Sequence, residues 1–310
     1  MSDLLSRRDA LTIGAATAAA AVSAAVPGGI RTARAIGPIS RGGGPKFKFS
    51  LAAYSYRDLF KPNNKFATDA LMLHDFVDDC AKMQLEAAEL TSYYFPMPLN
   101  NDYLTGLRRH CFRTGLDVSG TAVGNDFCHP PGSERDRQIA SVKQWIDHAA
   151  VLGAPVIRIF SGTVKREQTP DDAHRLAVTA IEECCQYAGE KAIHLALENH
   201  GGLTATPAGM LKLVRDVQSP WFGVNFDSGN FHGEDVYAEL AEIAPYAVNA
   251  QIKVVVSPAK QKKQPSDFSR LAKILRDAGY RGYVVLEYEE SGNPRIECPK
   301  YVEQLREAFS

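Results

Sequence analysis

The sequence predicts an α/β fold, a single (β/α)8 TIM barrel that follows an N-terminal export signal. From about residue 47, eight short apolar runs alternate with segments of helical periodicity, and 310 residues with 45% hydrophobic content suffice for one large domain. Such alternation implies parallel strands with right-handed crossovers, and eight units favour a closed barrel over an open sheet. We therefore divide the chain into a signal at 1–35, a linker at 36–46 and a barrel at 47–310.

The N-terminal segment has the three parts of an export signal. Arg7 and Arg8 are adjacent, an Ala-rich apolar stretch covers 11–26, and A-R-A at 33–35 resembles a cleavage site. The paired arginines favour the twin-arginine route and hence a periplasmic protein. The alternative is a short membrane anchor that is never cleaved, although this apolar stretch is marginal in length for spanning a bilayer.

Overall charge and cysteine spacing argue against several other classes of protein. The formal net charge is −1 at pH 7, so the chain lacks both the basic surface of a nucleic-acid-binding protein and a polybasic membrane anchor. Six cysteines occur without C-x-x-C spacing, so neither a zinc knuckle nor a thioredoxin-like site is indicated. We expect most of the cysteines to be small core residues.

The barrel elements follow one another with recognisable boundaries. Helical periodicity is clear after Thr169-Pro170 and Thr206-Pro207, where a capping residue precedes a proline at the first helical position. The predicted strands cover 48–54, 86–91, 117–123, 155–160, 193–198, 222–227, 248–254 and 283–287.

Four oxygen-bearing side chains stand at or near the carboxyl end of predicted strands: Glu198, Asp227, Gln251 and Glu287. Strand ends meet at one mouth of a barrel, so these residues are expected to converge. Three carboxylates that face each other repel and are costly to bury without a cation. We therefore predict one divalent metal ion held by these four residues.

Other charged residues of the strands are candidates for the same mouth. Lys253 shares a strand face with Gln251, so we expect it beside the metal, where it holds a substrate oxygen or stabilises a developing enolate; a lysine in solvent is the alternative. Arg158 is a charge inside an apolar strand and either binds substrate or pairs with a carboxylate. Glu89 is a candidate partner for Arg158 or a substrate acceptor.

Histidine and tyrosine candidates lie just beyond strand ends. His200 and His232 are candidates for substrate contact, and His129 is a weaker one, since a single loop histidine is often an ordinary surface residue. Tyr54 ends the first strand and either lines the pocket or packs in the barrel.

Residues 47–309 resemble the sugar phosphate isomerase/epimerase family of xylose isomerase-like TIM barrels. The matching motifs are L-E-N-H at 197–200, F-D-S-G-N at 226–230, Q-I-K at 251–253 and V-L-E at 285–287. The resemblance implies that one divalent metal binds the corresponding side chains. It also implies that Glu198 and Glu287 act as acid and base on opposite sides of a sugar.

Two positions depart from the family pattern. Gln251 stands where the family usually has His, and its neutral amide oxygen favours Mn²⁺ or Mg²⁺ over Zn²⁺. We expect Mn²⁺, with Mg²⁺ as one alternative and Co²⁺, which the resemblance implies, as another. Asn230, a candidate substrate ligand, stands where many members have a further His. The chain also lacks the histidine set and the basic groove of the related apurinic endonucleases.

The favoured function is isomerisation or epimerisation of a ketose or keto-sugar through a metal-stabilised enediolate. A non-phosphorylated substrate is expected, because the chain carries an export signal and no phosphate cradle. One alternative is a lyase that cleaves 3-keto-glycosides by β-elimination, and another is a noncatalytic exported sugar-binding protein. The expected partner is the small sugar substrate, and no nucleic-acid partner is expected. Contact with the membrane is expected only through the signal before its cleavage. Whether the chain forms a homo-oligomer is left open.

Overall fold

The computed structural model describes residues 35–310, which form a closed barrel of parallel strands whose spatial order follows the chain. The predicted export signal lies outside these residues apart from Ala35. The barrel strands are β1 Lys46–Ala52, β2 Ala87–Thr91, β3 Asp117–Ala122, β4 Val156–Ile159, β5 His194–Glu198, β6 Phe222–Asp227, β7 Ala247–Lys253 and β8 Arg281–Glu287.

One α-helix follows each barrel strand and covers the outside of the barrel. Thr169 and Thr206 cap their helices as predicted, since each side-chain oxygen accepts a hydrogen bond from a backbone N–H of the first turn. The helices are α1 Leu73–Lys82, α2 Asn101–Arg113, α3 Ser133–Leu152, α4 Pro170–Glu190, α5 Pro207–Asp216, α6 Val236–Ile243, α7 Phe268–Asp277 and α8 Pro294–Phe309.

The predicted barrel is confirmed, and each strand begins and ends within two residues of its predicted bounds. Sequence periodicity did not predict the short antiparallel ribbon of Val255–Val256 and Gln264–Pro265, which follows β7. Two-residue strands carry too little periodicity to be recognised.

The apolar core lies between the barrel strands and the helices. All six cysteines are buried with free thiols, as expected for small core residues. Desolvation by burial raises the pKa of Cys111 and of Cys184 to about 12, so these thiols are protonated and unreactive at neutral pH. In residues 35–310, no helix is both long and apolar enough to cross a membrane.

Residues 36–44, which we call the N-terminal strap, contact the amino-terminal end of the barrel. Ile39 N donates to Pro245 O at 2.9 Å, and Arg41 Nη2 donates to Ala247 O at 2.5 Å. Arg281 Nη1 donates to Gly43 O at 2.8 Å. Part of the predicted linker is therefore attached to the barrel, at the end opposite the strand carboxyl termini.

Candidate active site

A cavity of about 220 Å³ opens at the carboxyl ends of the barrel strands. This is the end at which βα-loops build sites in barrels of this type. The volume is below the roughly 300–1,000 Å³ typical of drug-sized ligands, so the cavity suits a small solute. Its lining residues are Tyr54, Tyr93, Arg158, Phe160, Glu198, His200, Lys253, Glu287 and Glu289.

Glu198, the last residue of β5, is held on both carboxylate oxygens. Arg158 Nε lies 2.9 Å from Glu198 Oε2, and Asn230 Nδ2 donates to Glu198 Oε1 at 2.8 Å. The Arg158 guanidinium also lies over the Phe160 ring, 4.0 Å from its centroid. Of the two predicted roles of Arg158, the structure shows the carboxylate pair, and it also places the residue in the cavity lining.

Lys253, the last residue of β7, carries its ammonium group among three carboxylates. Nζ lies 3.3 Å from Asp227 Oδ2, 3.2 Å from Glu287 Oε2 and 3.0 Å from Glu289 Oε1. Burial lowers the pKa of Lys253, but attraction by these carboxylates outweighs it and leaves the pKa well above the ordinary value. The lysine therefore stays a cation at neutral pH.

Asp227 is fully buried at the end of β6 and is fixed through its backbone. The Asn199 side chain bonds both the Asp227 N–H and its carbonyl at 2.9 Å, and Gly229 N donates to Asp227 Oδ1 at 2.8 Å. Burial is the main reason why the pKa of Asp227 and the pKa of Glu287 are both raised.

Gln251 faces the barrel interior, where it belongs to a buried polar network with Glu89, Asn225 and Asn249. Its Oε1 accepts from Asn225 Nδ2 at 2.6 Å, and its Nε2 donates to Glu89 Oε1 at 2.5 Å. Asn249 Nδ2 lies 2.9 Å from Glu89 Oε2. Glu89 is therefore neither paired with Arg158 nor in the cavity lining, and burial raises its pKa to about 7.

The predicted set of four metal ligands is only partly brought together. Glu287 and Glu198 line one cavity, and Asp227 and Glu287 share Lys253 as a partner, but both polar ends of the Gln251 amide are used inside the barrel. Within residues 35–310, no group of three or more His, Cys, Asp or Glu side chains is arranged to hold a metal ion. As arranged, the four side chains do not fit a common ligand sphere, and the divalent ion stays a prediction.

The other candidates divide between cavity and surface. His200 and Tyr54 line the cavity. His232 is exposed in the loop after β6, where Nδ1 lies 3.0 Å from the Ser257 carbonyl oxygen, outside the cavity lining. His129 also lies outside the lining, and its ring nitrogen is 3.9 Å from the nearest carboxylates.

A sequence model described as "Xylose isomerase-like TIM barrel" matches residues 77–308, most of the chain. The chain belongs to this family. No curated protein matches the chain in sequence. The family assignment confirms the resemblance on which the acid/base roles of Glu198 and Glu287 were based, and it leaves those roles themselves as predictions.

Solved structures of the same fold include several sugar enzymes. D-psicose 3-epimerase from Clostridium cellulolyticum H10 has a TM-score of 0.69 at 13% identity, over 85% of this chain and 99% of that chain. A xylose isomerase domain protein from Planctomyces limnophilus has a TM-score of 0.64 at 17% identity, over 85% and 97%. The 3-keto-D-glucoside 4-epimerase from E. coli has a TM-score of 0.63 at 15% identity, over 85% and 99%. At these identities the likeness shows the fold.

Three lining residues of this xylose isomerase-like barrel were not among the sequence candidates. Glu289 and Phe160 each lie two residues beyond a predicted candidate, Glu287 and Arg158 respectively, so extending the strand alternation by one step would have found both. Tyr93 comes from a short 3₁₀ turn after β2, and no periodic signal marks it.

Proposed function

We propose that this protein is a sugar isomerase or epimerase that moves a proton next to the carbonyl group of a small ketose or keto-sugar. The observation that carries the proposal is that Glu198 and Glu287 line one small cavity together with two paired cations, Arg158 and Lys253. The two glutamates come from β5 and β8, which β6 and β7 separate, so they reach the cavity from different sides.

This arrangement supports a two-base mechanism. One glutamate removes the proton from the carbon beside the carbonyl, and the electron pair moves onto the carbonyl oxygen to give an enediolate. The other glutamate returns a proton to the opposite face of the same carbon, which gives epimerisation. Return of the proton to the neighbouring carbon gives aldose–ketose isomerisation instead. A cationic group beside the enediolate oxygen stabilises the charge that develops.

The charge distribution supports a substrate without phosphate. Both cationic side chains that line the cavity already contact carboxylates, Arg158 with Glu198 and Lys253 with Glu287 and Glu289. A phosphate dianion in this lining would displace a carboxylate from its cation. We also infer a periplasmic location, which rests on the predicted signal at 1–35.

A second function, cleavage of a 3-keto-glycoside by β-elimination, has one observation in its favour. A neighbouring cavity of about 180 Å³ shares Phe160 and His200 with the first and is otherwise lined by the loops after β3, β4 and β5. The pair of cavities has room for a sugar ring and for the group attached to it. Elimination begins with the same proton abstraction, so the two functions differ only after the enediolate.

Deuterium exchange tests the proposed proton transfer. The protein is incubated in D₂O with a panel of ketoses and keto-glycosides, and deuterium in the recovered sugar is measured by mass spectrometry. We expect exchange into at least one sugar, and a loss of about 10²- to 10⁴-fold for Glu198→Gln or Glu287→Gln because each removes an acid/base group. Glu303→Gln, on the exposed face of α8, is the matched control and should exchange like the wild type.

The products separate the remaining functions. Retained mass with a changed configuration identifies an epimerase or isomerase, and release of the attached group from a keto-glycoside identifies the lyase. Binding of a sugar with no deuterium uptake would support a noncatalytic binding protein. Full activity in either glutamate variant would contradict the two-base assignment.

A further inference from the structure

The position of Lys253 differs from what a four-ligand metal site requires. Its ammonium group lies within 3.3 Å of Asp227 Oδ2, Glu287 Oε2 and Glu289 Oε1, which come from β6, β8 and the loop after β8. Two of these three carboxylates are predicted metal ligands. One positive charge beside these carboxylates is therefore provided by a side chain of the protein.

The amide of Gln251 is the second point of disagreement. Both of its polar atoms are engaged inside the barrel, with Asn225 and with Glu89. Turning the amide oxygen toward the mouth would break both hydrogen bonds and leave two fully buried partners with fewer bonds. The remaining predicted ligand, Glu198, is occupied by Arg158 and Asn230.

The local backbone is built to hold the lysine in this place. A Cβ atom on Gly229 would lie 2.6 Å from Lys253 Cδ and 3.0 Å from Lys253 Cβ, so the lysine stem occupies the space that a larger residue would fill. Ser228 Oγ accepts a hydrogen bond from the Lys253 backbone N–H at 2.8 Å, which fixes the end of β7 beside this glycine.

From these contacts we infer that the Lys253 ammonium group is the resident cation of the site, and that the protein works on its carbonyl substrate without a bound metal ion. The inference rests on the proposed function. In the enediolate step, one glutamate accepts the carbon-bound proton and the other, which enters the step protonated, returns one. Lys253 stays charged throughout and donates a hydrogen bond to the enediolate oxygen. Exchange of protons with solvent restores the two glutamates, so the step balances.

Metal analysis of the full chain tests this inference without any substrate. We expect purified protein to contain well under 0.1 equivalent of divalent metal by mass spectrometry, and added Mn²⁺ to leave its melting temperature unchanged. One equivalent of metal that survives desalting, or a clear Mn²⁺-dependent rise in melting temperature, would overturn the inference.

Activity measurements provide a second test of the inference about Lys253. Deuterium exchange should persist at the same rate in excess EDTA. Lys253→Met, which keeps most of the stem and removes the charge, should lower exchange by about 10²- to 10³-fold, as does removal of one donor to a developing oxyanion. Lys273→Met is the matched control, because Lys273 is an exposed lysine on α7 whose partner is Asp277.

The two hypotheses fail in different ways. If EDTA abolishes exchange and Mn²⁺ restores it, the inference about Lys253 is wrong and the proposed isomerase function stands. If no sugar takes up deuterium with or without Mn²⁺, the proposed function fails. In that case the metal content and the Mn²⁺ effect on melting still decide whether Lys253 replaces a metal ion.

Discussion

At residue scale, Gly229 controls the position of Lys253 through the absence of a side chain. The methyl group of Gly229→Ala would come within 3.1 Å of three carbon atoms of the Lys253 stem, so the stem must shift relative to Asp227 and Glu287. Because Lys253 is almost fully buried, at 8% exposure, its stem cannot avoid this contact by turning into solvent. A small substitution at Gly229 therefore changes the contacts between Lys253 and these carboxylates.

We predict that Gly229→Ala destabilises the protein by about 1–3 kcal/mol, the usual cost of overpacking. Lys253→Ala removes the overlapped atoms beyond Cβ, so the double variant should lose less stability than the sum of the single variants. Urea unfolding of the four proteins measures this coupling. Gly106→Ala, in open space on α2, is the control and should stabilise the protein by about 0.5–1 kcal/mol. Strictly additive losses would show that Gly229 and Lys253 do not share this space.

The same scale shows how far the sequence predicts the site. The strand-end positions of Glu198 and Glu287 and the strand alternation of Lys253 predicted that these residues lie at the mouth, and all three line the cavity. Strand alternation did not predict that Gln251 stays inside the barrel. Height along the barrel depends on strand register, and only the three-dimensional pairing provides it.

At the scale of elements, neighbouring strands join their inner faces through side-chain amides. Asn225 on β6 and Asn249 on β7 bond each other at 2.8 Å, and Asn249 also reaches Glu89 on β2 across the interior. The register pairs Asp227 with Gln251 and Glu287 with Lys253, so each strand is displaced relative to the next. This displacement places the polar network below the cavity.

We predict that Asn249→Ala lowers the free energy of unfolding by about 2–6 kcal/mol. The variant removes the donor for Glu89 Oε2 and for Asn225 Oδ1, and each buried group left without a partner costs about 1–3 kcal/mol. Denaturant unfolding measures the loss. Gln304→Ala, on the exposed surface of α8, is the control and should stay within about 0.5 kcal/mol of the wild type. A loss for Asn249→Ala no larger than that of the control would show that water replaces the missing amide.

At the scale of the whole molecule, the candidate active site and the N-terminal strap lie at opposite ends of the barrel. The cavity lies at the carboxyl ends of the strands, whereas the N-terminal strap bonds residues at the start of β7 and β8. Ile39 and Arg41 of the strap also line a cavity of about 350 Å³ at this lower end, together with His194 and Tyr283. The strap was predicted only as a linker, because its glycine-rich sequence has no periodic pattern and most of its hydrogen bonds to the barrel use its backbone.

This separation predicts that the strap affects stability and leaves the chemistry unchanged. A chain that begins at residue 45 loses the bonds from Ile39 and Arg41 and the carbonyl acceptors of Gly43 and Gly44, compared with a chain that begins at residue 36. At about 0.5–1.5 kcal/mol for each of these bonds, we expect a loss of about 2–6 kcal/mol. At about 2–4 °C per kcal/mol for a domain of this size, the melting temperature should fall by at least about 4 °C. Deuterium exchange per folded chain should be equal in the two proteins, because no strap residue lines the upper cavity. A shortened chain that melts normally but exchanges slowly would show that the strap acts on the site through the barrel interior.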